Sequence, residues 1–282
     1  MPARVVVTGA QGGLGRHVVA ELRTHGYDVV PVDVSPGGPP DLTFDLRDYD
    51  RVRQVMAGAD LVAHLAANPE PDRDEATGPP RFEENTVSTF NVFWAACHAG
   101  VPRVAWASSE TVYGHPYEEV APDSFPVRED ARLKPQSGYA LSKVVGEDLA
   151  RRLEARFGTT FVALRFSNIL HPDPDHPASY AKVPSYQADP MVRAGNLWGY
   201  IDARDAAVAT RLALEADLPG SLELTIAAAD TIVDTPNAEL VARRFPDVPL
   251  EPGWGPHRTL LAIDRAREVL GWEPQVSWRD EV

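Results

Sequence analysis

Cysteine is almost absent from this chain: Cys97 is the single one in 282 residues, so no intramolecular disulfide can form. That usage fits a reducing compartment. Basic residues are also in short supply. The 27 Lys and Arg stand against 41 Asp and Glu, a formal charge of −14. A nucleic-acid groove, which needs clustered cations to neutralise phosphates, is argued against on that ground. An acidic surface can still hold a local basic pocket, so small anionic substrates stay open. No apolar stretch approaches the length needed to span a bilayer. No secretory leader is legible, because Met1-Pro2-Ala3-Arg4 runs directly into a strand-like Val5-Val6-Val7. The expectation is a cytoplasmic protein with neither nucleic-acid nor membrane partners. What is present is an ordinary globular composition, 44% apolar and 24% charged. The length supports a large core, in one big domain or two small ones.

Strand-like and helix-like segments alternate through the first half. Residues 4–8, 28–34, 41–45, 59–65, 101–108 and 160–166 read as strands, and 14–25, 48–56, 81–99 and 137–157 as helices. On the helix at 81–99, Phe82, Thr86, Phe90, Phe93 and Cys97 fall on one face, which makes Cys97 a core residue. A Pro- and acid-rich loop over 68–80 precedes it. This alternation argues for a parallel sheet covered by helices on both faces. The continuous apolar strands agree, because central parallel strands are buried on both sides. After Asn168 the texture changes. Residues 171–190 read as a loop-heavy insertion rich in Pro, Asp and His. A helix at 203–216, a strand at 222–226 and short helices at 239–245 and 265–270 follow. The expected organisation is a cofactor domain over 1–167, rejoined by about 200–227, with a small substrate-binding region at 168–199 and 228–282.

The run Val5-Val6-Val7-Thr8-Gly9-Ala10-Gln11-Gly12-Gly13-Leu14-Gly15 is a strand, a glycine-rich turn and a helix start. Gly9, Gly12 and Gly15 are spaced three apart. The early glycines let the backbone turn tightly and approach a pyrophosphate, and the last lets helix and strand pack closely. The helix N-terminus then offers N–H groups and a positive dipole end to the phosphates. A glycine triplet is weak evidence alone; its place between a predicted strand and helix is the context that gives it meaning. Asp33 ends the second strand, eighteen residues beyond Gly15. A carboxylate there accepts hydrogen bonds from a ribose diol and repels a 2′-phosphate. No Arg or Lys lies between Val34 and Asp45 to hold such a phosphate, so NAD is favoured over NADP.

Tyr139-Ala140-Leu141-Ser142-Lys143 puts a phenol and an ammonium four apart, on one face of a helix. A phenol with a pKa near ~10 is a poor base at neutral pH, and a nearby ammonium favours the phenolate. Tyr139 is thereby suited to take the proton of a substrate hydroxyl as hydride leaves carbon. The fifth strand ends in Ala107-Ser108-Ser109-Glu110-Thr111-Val112-Tyr113-Gly114, at the carboxyl edge where such sheets bind ligands. A serine there can hydrogen-bond the reacting oxygen.

With these segments in view, the sequence resembles the extended short-chain dehydrogenase/reductase family, in particular its NAD-dependent epimerase/dehydratase branch. The resemblance runs from the Gly9–Gly15 loop through Asp45-Leu46, His64-Leu65-Ala66-Ala67, Ser108-Ser109-x-x-Val112-Tyr113-Gly114 and Tyr139-x-x-x-Lys143. It continues to Arg165-Phe166-Ser167-Asn168, Tyr200-Ile201-x-x-x-Asp205 and Leu270-Gly271-Trp272. It implies an α/β fold, a Rossmann-type doubly wound parallel sheet with a smaller, partly interleaved C-terminal substrate region. It implies Tyr139 as base and acid, Lys143 as its partner and ribose anchor, and Ser109 as ligand of the substrate oxygen. The implied cofactor set comprises Gly9, Gln11, Gly12, Gly13, Leu14, Gly15, Asp33, Asp45, Leu46, Leu65, Ala66, Ala67, Asn85, Ala107, Ser108 and Phe166, with Tyr139 and Lys143. For Asp45, Leu46 and Asn85, simple capping or packing is the competing reading. The implied substrate set is Ser109, Glu110, Thr111, Asn168, Trp198 and Arg258. A homodimer through the helices at 81–99 and 137–157 is a further family expectation.

The sequence also departs from the family. Dehydratases of this branch carry Asp-Glu after the serine/threonine position; Glu110-Thr111 stands here, which makes elimination the least supported chemistry. Nucleotide-sugar epimerases carry an arginine just before the Tyr-Ile motif, where this chain has Leu197-Trp198-Gly199-Tyr200. A second expected arginine is missing from Gly253-Trp254-Gly255-Pro256, although Arg258 follows closely. Trp198 and the short chain look more like small sugar or sugar-acid dehydrogenases such as uronate dehydrogenases, with core packing the competing role for Trp198. His171, Asp173, Asp175 and His176 invite a metal reading, but the prolines between them forbid a helical two-His face, and no metal is expected. Three readings of the whole follow: an NAD-dependent dehydrogenase acting on a secondary alcohol of a sugar or sugar acid, a nucleotide-sugar epimerase using the same transient oxidation, and a non-catalytic NAD-sensing protein.

Overall fold

A computed structural model describes residues 2–39, 42–69, 72, 74–218 and 220–282. Asp41, where the strand read at 41–45 begins, lies outside the described residues, as do Glu70, Pro71 and Arg73 of the 68–80 loop. The sheet has six strands: β1 (Arg4–Thr8), β2 (Asp28–Val32), β3 (Leu61–His64), β4 (Arg103–Ser109), β5 (Thr160–Phe166) and β8 (Leu222–Ile226). Their spatial order is β2-β1-β3-β4-β5-β8. Pairing is parallel from β2 through β1 and β3 to β4, with Val6 opposite Val30 and Val62. The chain divides into two compact units. One comprises 1–108, 137–164 and 207–223; the other 109–136, 165–206 and 224–282. Residues 109–136, assigned from sequence to the cofactor domain, thus cluster with the second unit.

In the first unit the helices are α1 (Gly13–Thr24), α2 (Tyr49–Met56), α3 (Gly78–His98) and α4 (Gly138–Phe157). Val18, Val19 and Leu22 give α1 its buried stripe. Asp48 caps α2 by accepting from the Arg51 N–H. α4 opens on Ser137, whose hydroxyl accepts from Ala140 N, and closes on Gly158 at a left-handed φ of 76°. The core collects Val6, Val62 and Val104 from the strands with Met56, Phe93 and Trp106. Phe93 stacks edge-on against Trp106 at 5.4 Å and tilts against Phe161 at 4.6 Å.

Two differences from the sequence reading have physical causes. The loop over 68–80 ends earlier, because α3 starts at Gly78 and seats Pro79 and Pro80 in its first turn. Prolines cost nothing there, since those N–H groups have no partner within the helix. The face read at Phe82, Thr86, Phe90, Phe93 and Cys97 is also rotated. Phe93 and Cys97 are buried, but Phe90 is 41% exposed, and the buried side includes Asn85, Ser88 and Thr89. A polar stripe is buried because it faces other polar groups, as the site shows below.

The second unit holds α5 (Val183–Ala188), α7 (Asn237–Arg244), α8 (Asp264–Leu270) and the short parallel pair β6 (Ile169–Leu170) and β7 (Ile201–Asp202); α6 (Ala203–Glu215) begins in it. The insertion read as loop at 171–190 contains α5, again with a proline in its first turn. Two separated motifs meet here. Trp272 donates its indole N–H to the Asp205 carbonyl at 3.1 Å, and the Asp205 carboxylate accepts from Gln275 N and Val276 N at 2.9 Å each. Tyr200 donates to Asp230 at 2.6 Å and accepts from Trp278 N at 2.9 Å. The sheet with helices around it is the expected α/β fold. Among the described residues no helix is long and apolar enough to cross a membrane.

Candidate functional site

The first unit carries a cavity of about 500 Å³ where the glycine loop, the end of β2 and the start of the β3–α3 connection converge. Gly9, Gln11, Gly12, Asp33, Asp45, Leu46, Leu65, Ala66, Ala67 and Asn85 line it, all from the sequence-derived cofactor set. The glycines are demanded by space. A Cβ on Gly9, which sits at φ +72°, would lie 2.7 Å from Ala66 N, and one on Gly15 would lie 1.9 Å from the Gly9 carbonyl. Gly13 and Leu14 open α1 behind the loop. This cradle fits a dinucleotide's phosphates, because it leaves backbone and a helix start bare on one side of the cavity.

Asp33 reaches the cavity with a fixed carboxylate: one oxygen accepts from Gln11 N and the other from Ser35 N, both at 2.8 Å. Residues 42–44 cross beside it through a single parallel bridge between Asp33 and Thr43, which is all the structure describes of the strand read at 41–45. Asp45 is gripped by Arg47 through Nη2 at 2.5 Å and Nε at 2.9 Å, and that pairing holds its carboxyl below the usual range.

Three buried polar groups position the cavity wall. Asn85 clamps the chain after Ala67: its Oδ1 accepts from Asn68 N at 2.8 Å and its Nδ2 donates to Asn68 O at 3.2 Å. Asn91 holds the segment after Asp45, donating to the carbonyls of Leu46 at 2.9 Å and Arg47 at 3.2 Å. His64 bridges two hydroxyls, Thr8 Oγ1 at 2.7 Å and Thr89 Oγ1 at 3.2 Å, while Thr8 Oγ1 accepts from Ala66 N at 3.4 Å. Burial, then the charge of Lys143, drives the His64 pKa down to about 3, so the ring is neutral. Sequence reasoning missed Asn91 and the bridging of His64. Their signal was a polar residue on an otherwise apolar helix or strand.

Tyr139 and Lys143 stand at the start of α4, in the same unit. The Tyr139 N–H donates to Asp72 Oδ2 at 2.9 Å. The approach is close: a Cβ on Gly138 would lie 2.3 Å from Gly78 O and 2.7 Å from that carboxylate. Lys143 Nζ donates to the Ala107 carbonyl at 2.7 Å and lies 5.4 Å from the centre of the Tyr139 ring. Burial lowers the Lys143 pKa to about 8, against the opposing charge of Glu147. Ser108 donates to Glu147 Oε1 at 2.7 Å. A buried ammonium beside a phenol is the arrangement that makes the phenol a usable base.

The remaining candidates lie in the second unit. Ser109, the last residue of β4, is 8% exposed and accepts from Thr111 N at 3.2 Å. Glu110 is buried as an acceptor, taking Ser167 Oγ at 2.5 Å and Asn196 Nδ2 at 3.0 Å, and its carbonyl pairs with His115 Nδ1 at 2.8 Å. The Thr111 hydroxyl is buried without a hydrogen-bond partner among the described residues. The Asn168 backbone carbonyl accepts from Ile201 N at 3.0 Å, and Phe166 closes β5, 5% exposed. Arg258 lies 3.8 Å over the Trp254 ring and pairs with Asp264 at 2.5 Å. Trp198 requires a correction. It has no exposed surface, and its indole N–H is spent on the Pro190 carbonyl at 2.7 Å, so it is a core residue and not a substrate contact. Among the described residues no cluster of three or more His, Cys, Asp or Glu is arranged to hold a metal ion.

Known proteins match this arrangement along most of its length. The family model described as the NAD dependent epimerase/dehydratase family matches residues 5–224. The L-arabinose 1-dehydrogenase (NAD(P)(+)) of Haloferax volcanii is 33% identical over 232 residues, covering 78% of this chain and 85% of the relative. The uronate dehydrogenase of Pseudomonas putida is 31% identical over 172 residues, 58% of this chain and 60% of the relative. A crystal structure of a UDP-galactose 4-epimerase aligns with a TM-score of 0.70 at 30% identity, covering 99% of this chain and 95% of that one. The glycine cradle and the Tyr139–Lys143 helix fall inside the matched segment, and the fold is the one its relatives share. The chain therefore belongs to the NAD dependent epimerase/dehydratase family of extended short-chain dehydrogenases/reductases.

Proposed function

We propose that this protein is an NAD-dependent oxidoreductase that moves hydride at a secondary alcohol carbon of a sugar or sugar acid. The observation that carries the reading is the Lys143 ammonium, buried and pinned to the Ala107 carbonyl, 5.4 Å from the Tyr139 ring in the unit that also holds the nucleotide cavity. Gly9 and Gly12 would hold the phosphates of NAD, Asp33 its adenosine ribose, and Asp45 and Leu46 would border its adenine; its oxidised nicotinamide would supply the hydride acceptor and a local positive charge. Lys143 stabilises the Tyr139 phenolate, which takes the hydroxyl proton as the carbon is oxidised.

Asp33 favours NAD over NADP, because a fixed anion repels a 2′-phosphate. The similarity to an arabinose and a uronate dehydrogenase supports a free sugar or sugar acid over a nucleotide sugar. An epimerase is the second reading, favoured by the epimerase structure that aligns over almost the whole chain. It begins with the same oxidation and returns hydride to the opposite face. The non-catalytic sensor loses ground because Tyr139 and Lys143 are both in place.

The organisation follows the same reading. Residues 168–199 and 228–282 are the substrate-binding region, and the protein is cytoplasmic and a homodimer. Val87 and Phe90 on α3 with Leu141 and Val145 on α4 leave large apolar side chains exposed on the helices that form the dimer contact.

The test mixes purified protein and NAD with free sugars, uronates and nucleotide sugars and follows NADH absorbance and product stereochemistry. NADH accumulation with a free sugar or uronate is expected. A stereoisomer without net NADH selects the epimerase. Tyr139→Phe should lower turnover by roughly 10²-fold or more; full activity in that variant sinks the mechanism.

A further inference from the structure

Tyr139 and Lys143 are one turn apart on α4, and a third ionisable residue, Glu147, stands one turn further on the same face. Glu147 is 1% exposed and Lys143 3% exposed. A carboxylate and an ammonium are rarely buried so completely unless each has a role or a partner. Both are tied to consecutive residues of β4: Lys143 Nζ to the Ala107 carbonyl at 2.7 Å, Glu147 Oε1 to the Ser108 hydroxyl at 2.7 Å. One strand therefore anchors both side chains in the interior.

None of the other groups named around Lys143 brings a negative charge. From its own helix comes the Tyr139 ring, and from β4 the Trp106 ring at 5.8 Å. From β3 comes His64, a neutral imidazole whose hydrogen bonds go to Thr8 and Thr89. Burial alone drives a lysine towards the neutral amine. Glu147 supplies the opposing charge.

We propose that Glu147 is a positioning residue for the Tyr139–Lys143 pair: a counter-charge anchored on β4 that keeps the Lys143 side chain an ammonium inside the core. The catalytic consequence rests on the reading of Tyr139 as base. A neutral Lys143 does not stabilise a phenolate, so loss of the Glu147 charge leaves Tyr139 a poor base at the upper end of the working pH range. Burial already holds the Lys143 pKa at about 8, close to neutrality, so a further fall has a large effect on its charge.

The sequence makes the test direct. There are three lysines, Lys134, Lys143 and Lys182, so lysine-selective labelling yields three side-chain resonances, and Lys143→Arg identifies the one of interest. In the cofactor-free wild type that resonance should titrate near pH 8; in Glu147→Gln it should titrate about one unit lower or more. Glu147→Asp, which restores the charge, should bring the titration back towards the wild type. The alkaline limb of the kcat/KM profile should move with it, while the thermal midpoint of Glu147→Gln stays near that of Glu147→Asp. A Lys143 titration that Glu147→Gln leaves in place overturns the proposal, whatever the enzyme does. A titration that moves while the activity limb stays put overturns its catalytic half; if Tyr139→Phe is also fully active, the fault lies in the choice of base. Should Glu147→Gln not fold, Glu147→Met, uncharged and of similar volume, replaces it: a Lys143 titration displaced downward upholds the proposal, and one unchanged from the wild type overturns it.

Discussion

The carboxylate of Asp72 accepts the backbone N–H of Tyr139 at 2.9 Å, across 67 residues of sequence. Asp72 is buried and belongs to the connection whose earlier residues, Ala66 to Pro69, line the nucleotide cavity. The same connection therefore borders the cavity and caps the helix that carries Tyr139. A carboxylate at a helix N-terminus satisfies an orphan donor and meets the positive end of the helix dipole.

Asp72→Ala should remove that cap and lower stability by about 1 to 2 kcal/mol, a fall of a few degrees in thermal midpoint. Turnover should fall more than NAD affinity does, because Tyr139 moves while the glycine loop stays. Asp72→Asn keeps an acceptor and should recover most of both. Calorimetric melting and steady-state kinetics of the two variants check this; an Asp72→Ala enzyme with unchanged kcat would show that the cap does not hold the base in place.

Asp33 is the residue expected to discriminate NAD from NADP. Its two oxygens are held by the amides of Gln11 and Ser35, so the negative charge cannot swing away from a 2′-phosphate. Asp33→Asn retains an acceptor but removes the charge. The ratio of kcat/KM for NAD to that for NADP should drop about tenfold or more, mostly through a better KM for NADP. A ratio unchanged in Asp33→Asn would mean that shape, not charge, excludes the phosphate.

His64 makes stability depend on acid. Its pKa is near 6.5 in the unfolded chain and about 3 in the folded one, so the unfolded state binds the extra proton first. Its contribution is complete above pH 6.5 and is lost as pH falls from there towards 3. Between pH 7.5 and 5 the loss should be about 2 kcal/mol. Denaturant unfolding at the two pH values measures it, and His64→Gln should flatten the difference. A wild-type protein whose stability is level across that interval would contradict a neutral His64.

Much of this was legible in sequence, for local reasons. β1, β4 and β5 announce themselves as apolar runs because both their faces are buried, and the glycine loop because its spacing answers a steric demand within seven residues. Tyr139 and Lys143 share a helix face, which a four-residue spacing reveals. Asp72, Asn91 and Glu147 act across the fold instead: Asp72 caps a helix 67 residues later, and Asn91 reaches back 45 residues to Leu46. No periodicity encodes such pairs. The buried polar face of α3 was legible only at Asn85, since Ser88 and Thr89 look solvent-facing until their surroundings are known. Phe90, read on one face with Phe93 and Cys97, stands 41% exposed while they are buried.

Trp198 illustrates how burial decides between two roles. Leu197 and Trp198 take consecutive left-handed conformations, φ 52° and 54°, which cost each residue roughly 1 to 2 kcal/mol. The turn persists because both side chains are fully buried and its backbone is paired: Trp198 N donates to Arg193 O at 3.0 Å, and Ile232 N donates to Trp198 O at 2.9 Å. The indole N–H on Pro190 O completes the anchor. Trp198→Phe keeps the aromatic bulk but strands the Pro190 carbonyl, which should lower stability by about 1 to 3 kcal/mol. Trp198→Ala should cost about 3 to 5 kcal/mol through the cavity it leaves. KM for whichever sugar the enzyme accepts should change less than about twofold in Trp198→Phe, far below the ~1.4 kcal/mol that a tenfold change requires. A substrate contact would give the opposite pattern, a raised KM at unchanged thermal stability, and that result would return Trp198 to the binding site.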